Sequence, residues 1–321
     1  MLSRLKIVAS KVPLKSVGPS TIYILKFSWS LNIKILPKPS VNHKPSIGSN
    51  FFPSNILIAA SFMTIVIISG NFDISISAIF VVAPLFALNI ENATGNIYLS
   101  IIGGVGLGVI LGSFNALVVT YFKVNSFIAT LATSFMFFGF GYLISDRSLM
   151  RPVTDSYQQI ARTKFFDITS ATWIALIVVI LASILLTRTR FGRNVFATGG
   201  NQEAARLAGI NVPQVQAITF ILLGAAAALA GIVNSSRSIS AQPSDDFSFV
   251  FSVLTAVIVG GTSIMGGKGA IWRTVAAAFF LAFMNNGFNL LQVDPLWQRI
   301  ILGLVIVIAV ALDSWSQRKN V

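Results

Sequence analysis

The stretch Thr187–Val212, TRTRFGRNVFATGGNQEAARLAGINV, decides how the chain is read. It holds Arg188, Arg190, Arg193 and Arg206, whereas Ala171–Leu186 before it and Val215–Val233 after it carry no charge. An arginine-rich break between two apolar runs marks a cytoplasmic loop between membrane spans, because basic residues stay on the cytoplasmic side. Inside the loop, Gly199-Gly200 reads as a flexible turn and Asn201 as an N-cap. Gln202–Ala208 follows as strong helix formers, and Gly209 is the natural residue just past the helix end. Glu203 favours the helix dipole and stands three residues before Arg206, on the same face, while Ala204, Ala205, Leu207 and Ala208 supply an apolar surface. A short capped helix at the membrane surface is a docking knob; the same residues read equally as an ordinary helical loop.

Working outward, the composition excludes a soluble domain. Hydrophobic residues are 55% and charged residues 10% of the chain, and the mean hydropathy is +0.80, which is the profile of a polytopic membrane protein. The net charge of +13 comes from residues outside the apolar runs, so positive-inside loops explain it better than nucleic-acid binding. With no cysteine there is no disulfide framework, thiol nucleophile or thiolate metal site. The single His43 cannot form a metal cluster, and nothing in the sequence calls for a cofactor.

Four separated stretches, GRNVFATGGNQEAARLAGI, LAGIVNSSRSISAQP, IVGGTSIMGGKGAIWRT and NNGFNLL, carry a resemblance. Together, and in this order, they resemble the membrane permease subunit of ribose-type sugar importers of the ATP-binding-cassette (ABC) class, from about Phe51 to Ser314. The resemblance implies an all-α fold of ten spans, here about nine with the first missing or replaced. It also implies that the loop helix is a coupling helix seated on a separate ATPase subunit. Gly200, Asn201, Glu203, Ala204, Arg206 and Gly209 would then occupy the ATPase contact. An extracytoplasmic sugar-binding protein, a second permease copy and a bacterial inner membrane are implied with it.

In chain order, residues 1–50 form a basic arm with Arg4, Lys6, Lys11, Lys15, Lys26, Lys34, Lys38 and Lys44 and no acid. No run there reaches the roughly 20 apolar residues of a span. The arm reads as poorly ordered and lying on anionic lipid, ahead of a permease domain at residues 51–321 with the coupling loop at 187–212. Asn55–Ser69 is a short apolar run ending at SGNFDIS, where Asp73 either caps the next helix or lines a wet path. The family resemblance has a glycine-rich version of this motif, with Asn71 and Ser77 standing where glycines usually do.

Ile97–Phe122 carries Gly104, Gly108 and Gly112 at four-residue spacing, a stripe for close helix packing. Ser145–Ser170 is a mixed-charge loop sized for a small extracytoplasmic cap, and Asn234–Ser248, with Asp245 and Asp246, is expected outside. Related permeases usually have an acid just after this point, where this chain reads FSFVFSVLTA. GGTSIMGGKGA, Gly260–Ala270, fails the phosphate-loop pattern because Gly269 replaces the required hydroxyl residue; its glycines suit a break in a helix. Val275–Leu291 carries Asn285, Asn286 and Asn289. These amides need polar partners in the bundle, in another subunit or along a sugar-conducting path.

Alternation from the coupling loop places Lys268, Lys123 and the Asp73 link inside, and Glu91–Asn96, Ser145–Ser170 and Asn234–Ser248 outside. One more crossing puts the basic arm outside, against the rule. Either the arm is unfavourably placed, or the first apolar segment re-enters without crossing, or the coding sequence has an altered start. An ion-coupled secondary transporter, an intramembrane enzyme and an ABC permease for branched-chain amino acids are the competing readings; the first two want more intramembrane acids or histidines than this chain has.

Overall fold

The structure, a computed structural model, describes residues 52–318. The basic arm expected at residues 1–50 lies outside them. Helices α1 (Ser54–Ile68), α2 (Ile76–Thr94), α3 (Ile97–Ala116, extended by a π-helical turn to Tyr121) and α4 (Ser126–Ile144) come first. A short helix α5 (Ser156–Arg162) and a hairpin of β1 (Lys164–Phe165) and β2 (Ile168–Thr169) precede α6 (Ser170–Arg188). Then follow α7 (Arg190–Gly200), α8 (Gln202–Leu207), α9 (Val212–Ser238), α10 (Ser248–Val259), α11 (Ile271–Leu290) and α12 (Pro295–Arg318).

Five of these, α2, α3, α4, α6 and α9, are long and apolar enough to cross a membrane. With α1, α10, α11 and α12 they match the expected apolar segments one for one among the described residues. In the five long ones most side chains are apolar, so burial is decided by neighbours. In α9, 67% of the most apolar window is inside the bundle, against 22% in α6, which places α9 at the centre and α6 at the rim.

The α3 stripe does what its spacing predicts. A Cβ on Gly108 would stand 2.4 Å from the Ala228 methyl and 2.5 Å from the Gly224 carbonyl oxygen, so α3 and α9 touch backbone to backbone. Without a hydrophobic driving force inside lipid, such dispersion contact is what holds helices together.

The two ends of the bundle differ. At one, the α5–β1–β2 cap folds over the helix ends. The Glu91 carboxylate accepts from the backbone N–H of Val153 (3.1 Å) and Thr154 (3.0 Å), Met150 pairs with Ala241, and the Tyr157 hydroxyl meets Ser235 Oγ at 2.7 Å. Burial pushes the Tyr157 hydroxyl pKa up to about 12, so it stays a neutral hydrogen-bonding group. At the opposite end lie the α1–α2 link, α7–α8 and the α10–α11 loop. This division reproduces the alternation inferred from charge.

α1 settles one open alternative. At the cap end Asn55 Nδ2 donates to Asn234 Oδ1 (2.9 Å) and Arg237 Nη2 donates to Ser54 Oγ (3.2 Å). At the other end the Ile68 carbonyl accepts from the Gly267 N–H (2.9 Å). The first apolar segment therefore runs from end to end, and the re-entrant alternative is overturned. With 15 residues α1 is only about 22 Å long at 1.5 Å per residue, which suffices because it is walled by protein. Two boundaries also shift: α9 runs on to Ser238, taking Asn234 and Arg237 into the helix, and Gly199-Gly200 close a helix instead of forming a turn.

Candidate functional site

The loop 187–212 is two helices. Thr189 Oγ1 accepts from the Gly192 N–H (3.1 Å) and starts α7, which buries Gly192, Val195 and Thr198 along one side. Asn201 then breaks the chain into an extended conformation and caps α8, its Oδ1 accepting from Glu203 N and Ala204 N, both at 3.0 Å. At the far end Gly209 takes φ +83. Gly209 N donates to the Arg206 carbonyl (2.9 Å) and Ile210 N to the Ala205 carbonyl (3.0 Å), a Schellman closure. Both capping expectations hold.

Only Ala205 of α8 is buried; Gln202, Glu203, Ala204, Arg206 and Leu207 are exposed, Leu207 at 90%. Glu203 and Arg206 form no ion pair among the described residues, so the pairing open to them in sequence is not made. Arg188, Arg190, Arg193 and Lys268 are exposed at the same end. The product is a projecting, capped, basic-rimmed helix with an uncovered leucine. Sequence reasoning counted Leu207 in an apolar face but left it out of the contact set.

What the sequence missed is the mount. At the foot of α7, Gly199 packs so closely that a Cβ would lie 1.6 Å from the Ile68 carbonyl oxygen and 2.7 Å from Gly267 N. Gly267, at φ +71, would in turn place a Cβ 2.8 Å from the Gly200 Cα. The end of α1, the end of α7 and the α10–α11 loop are thus joined backbone to backbone. A glycine pair facing another glycine pair was the available signal, and it is invisible without knowing that residues 199 and 267 meet.

Asp73 is fully buried at the start of α2. Its Oδ1 accepts from Ser75 N (2.8 Å) and Ser75 Oγ (2.6 Å), and Asn115 Nδ2 donates to Oδ2 (3.4 Å) and to Ser75 Oγ (2.6 Å). Thr133 closes the chain by donating to Asn115 Oδ1 (2.7 Å). This ties the α1–α2 link to α3 and α4. Ser77, standing for a family glycine, accepts from Val250 N (2.9 Å) near the start of α10.

The α11 amides are elsewhere: Asn285, Asn286 and Asn289 are all exposed on the single chain, and Asn289 Oδ1 accepts a 3.4 Å bond from Gln298. The bundle-interior alternative for them is excluded. Asp73 and the asparagines are not brought together.

Fold and site define a polytopic helical membrane permease that carries a helical knob at one end. The chain belongs to the family described as branched-chain amino acid transport system / permease component, which matches residues 49–310. It is 34% identical over 252 residues to the L-arabinose transport system permease protein AraH of Escherichia coli (strain K12), covering 78% of this chain and 77% of AraH. It is 36% identical over 253 residues to the ribose import permease protein RbsC of Bacillus subtilis (strain 168), covering 78% and 79%. To the D-allose transport system permease protein AlsC of Escherichia coli (strain K12) it is 34% identical over 248 residues, covering 77% and 76%. No solved structure matches the chain.

Proposed function

We propose that this chain is the transmembrane subunit of an ATP-driven importer that carries a monosaccharide of the ribose, arabinose or allose kind across the bacterial inner membrane. The similarity to pentose and hexose permeases supports the sugar class. The observation that carries the mechanism is α8: capped at both ends, exposed, and mounted through Gly199 and Gly267 on the membrane helices.

On this reading Gly200, Asn201, Glu203, Ala204, Arg206 and Gly209, with Leu207 at the centre, sit in a groove of a separate ATPase subunit. Closure of two ATPases around two permease copies pushes α8, and the glycine mount passes that displacement to α1 and to the loop beneath α10. A binding protein delivers sugar at the capped end. The exposed amides Asn285, Asn286 and Asn289 face the second copy or the central path; Asp73 holds the helix start and lines nothing. Residues 1–50 are proposed as a basic arm preceding the permease domain 51–321 in sequence.

The family description supports a second substrate class, branched-chain amino acids. Vesicles containing the assembled transporter, loaded with ATP inside and given labelled ribose, arabinose, allose or leucine with the matching binding protein, separate the two. Sugar uptake that needs ATP and survives collapse of the proton gradient is expected. Leucine uptake, or uptake that follows the gradient, would replace this reading.

A further inference from the structure

The helix α10 does not begin at the membrane surface. Its neighbours fix its depth. The Phe247 ring lies 5.3 Å from Phe138 and 5.9 Å from Phe135, both edge-on. Phe138 is about 18 Å along α4 from Ser126 at 1.5 Å per residue, which is beyond the middle of that 19-residue helix. Phe249 stacks on Phe80 at 3.8 Å, and Val250 N bonds Ser77 in the first turn of α2. Ala241, by contrast, is paired with Met150 at the cap. The chain from Ala241 to Phe247 is non-helical and covers up to about 20 Å at the reach of an extended backbone. It descends from the cap to the depth of the bilayer centre, where α10 starts and runs the remaining distance to the coupling end.

That segment is exposed. Gln242, Asp245, Asp246, Ser248 and Phe251 are open on the single chain, whereas α10 below Ser252 is mostly buried. Asp246 is occupied, accepting from Ser248 N and Ser248 Oγ, both at 2.8 Å. Asp245 has no hydrogen-bond or ion-pair partner among the described residues. Non-helical backbone at membrane depth persists only inside protein or beside water, and an ionised carboxylate there cannot face lipid at tolerable cost. The segment is open on the single chain and cannot face lipid, which places it on the side where two copies would enclose water.

We infer that the segment 242–247 and the first turn of α10 form a water-lined wall of the translocation pathway at mid-depth, with Asp245, Ser248 and Phe251 meeting the passing sugar. This rests on the permease reading above. The chemistry suits the cargo: a carboxylate accepts from sugar hydroxyls, and an aromatic face takes the C–H side of the ring.

The chain has no cysteine, so single cysteines report cleanly. Asp245→Cys, Ser248→Cys and Phe251→Cys are placed one at a time in the assembled transporter in membranes, with Ile180→Cys on the rim of α6 as the lipid-facing reference. A charged, membrane-impermeant thiosulfonate reacts with thiolates, which form in water and not in hydrocarbon, so pathway cysteines are expected to label at least roughly tenfold faster than the reference. Saturating sugar with its binding protein slows that labelling. Ser248→Cys exchanges one small polar side chain for another and covers the case in which losing Asp245 unfolds the chain. Labelling only by an apolar maleimide, or none at any of the three positions, overturns the inference. Sugar uptake by the unsubstituted transporter is measured in the same membranes, so failure of the permease reading shows separately as absent uptake.

Discussion

The Gly267 N–H donates to the Ile68 carbonyl at 2.9 Å, directly beneath Gly199 of α7. One hydrogen bond and one close approach thus join the first membrane helix, the base of α10 and the mount of the coupling helix. Nothing softer than backbone lies in this contact, so displacement of α7 is passed on without side-chain slack.

Gly199→Ala is expected to break this joint, because its Cβ would overlap a carbonyl oxygen that cannot yield. The expected loss is about 1–3 kcal/mol or more, read as a fall in unfolding temperature, together with loss of ATP-driven uptake. Gly200→Ala, whose Cβ meets nothing within 4 Å, should leave thermal stability unchanged or slightly higher, since alanine is favoured over glycine in a helix by roughly 0.5–1 kcal/mol. Equal destabilisation by both would argue against the joint.

Asn201→Ala removes the acceptor for two N–H groups of α8 and should cost about 1 kcal/mol of local helix stability. Hydrogen exchange at Glu203 and Ala204 should quicken and ATPase retention weaken, while Asn201→Asp keeps both. Unchanged exchange in Asn201→Ala would show that α8 does not depend on its cap.

Asp73→Ala strands the Ser75 N–H and the Ser75 hydroxyl proton in a buried pocket, while Asn115 Nδ2 keeps its bond to Ser75 Oγ, a loss of about 1–3 kcal/mol for unsatisfied groups. Asp73→Asn keeps an acceptor at Oδ1 and should recover much of the stability. Neither variant should alter the dependence of uptake on the proton gradient; a shift there would revive the secondary-transporter reading.

The cap should hold to high pH. With Tyr157 raised from its ordinary 10 to about 12 by burial, the folded chain keeps the phenol protonated where the unfolded chain ionises. Its contribution is therefore fully present below pH 10 and is lost as pH rises toward 12. Tyr157→Phe should cost about 1 kcal/mol and flatten that alkaline loss. An unchanged alkaline limb in the variant would assign the loss to another group.

Much of this was legible in the sequence because membrane spans are coded by composition. The apolar runs, the arginine-rich break, the Asn201 cap and the Gly209 closure all act through residues adjacent in the chain. The helix α7 is harder to read: Phe191, Val195 and Phe196 pack on its buried side, but Gly192, Gly199 and Gly200 within it signal a break in local sequence. The glycine mount and the depth of α10 escaped for another reason. Each depends on which distant segments meet, Gly199 with Gly267 and Phe247 with Phe138, and no local pattern records that. Asp73 signals a polar site by its residue type, but its partner Asn115, and Thr133 behind Asn115, come from later helices.

The most direct test is retention of the ATPase subunit by the coupling helix. The tagged chain is coexpressed with that ATPase and recovered from membranes beside an Arg206→Glu, Leu207→Asp variant, whose substituted side chains are exposed and should not disturb the bundle. The expected result is ATPase recovered with the native chain and lost from the variant, at equal membrane levels and equal unfolding temperature. If the variant retains as much ATPase as the native chain, α8 is not the coupling element and the proposed mechanism is wrong.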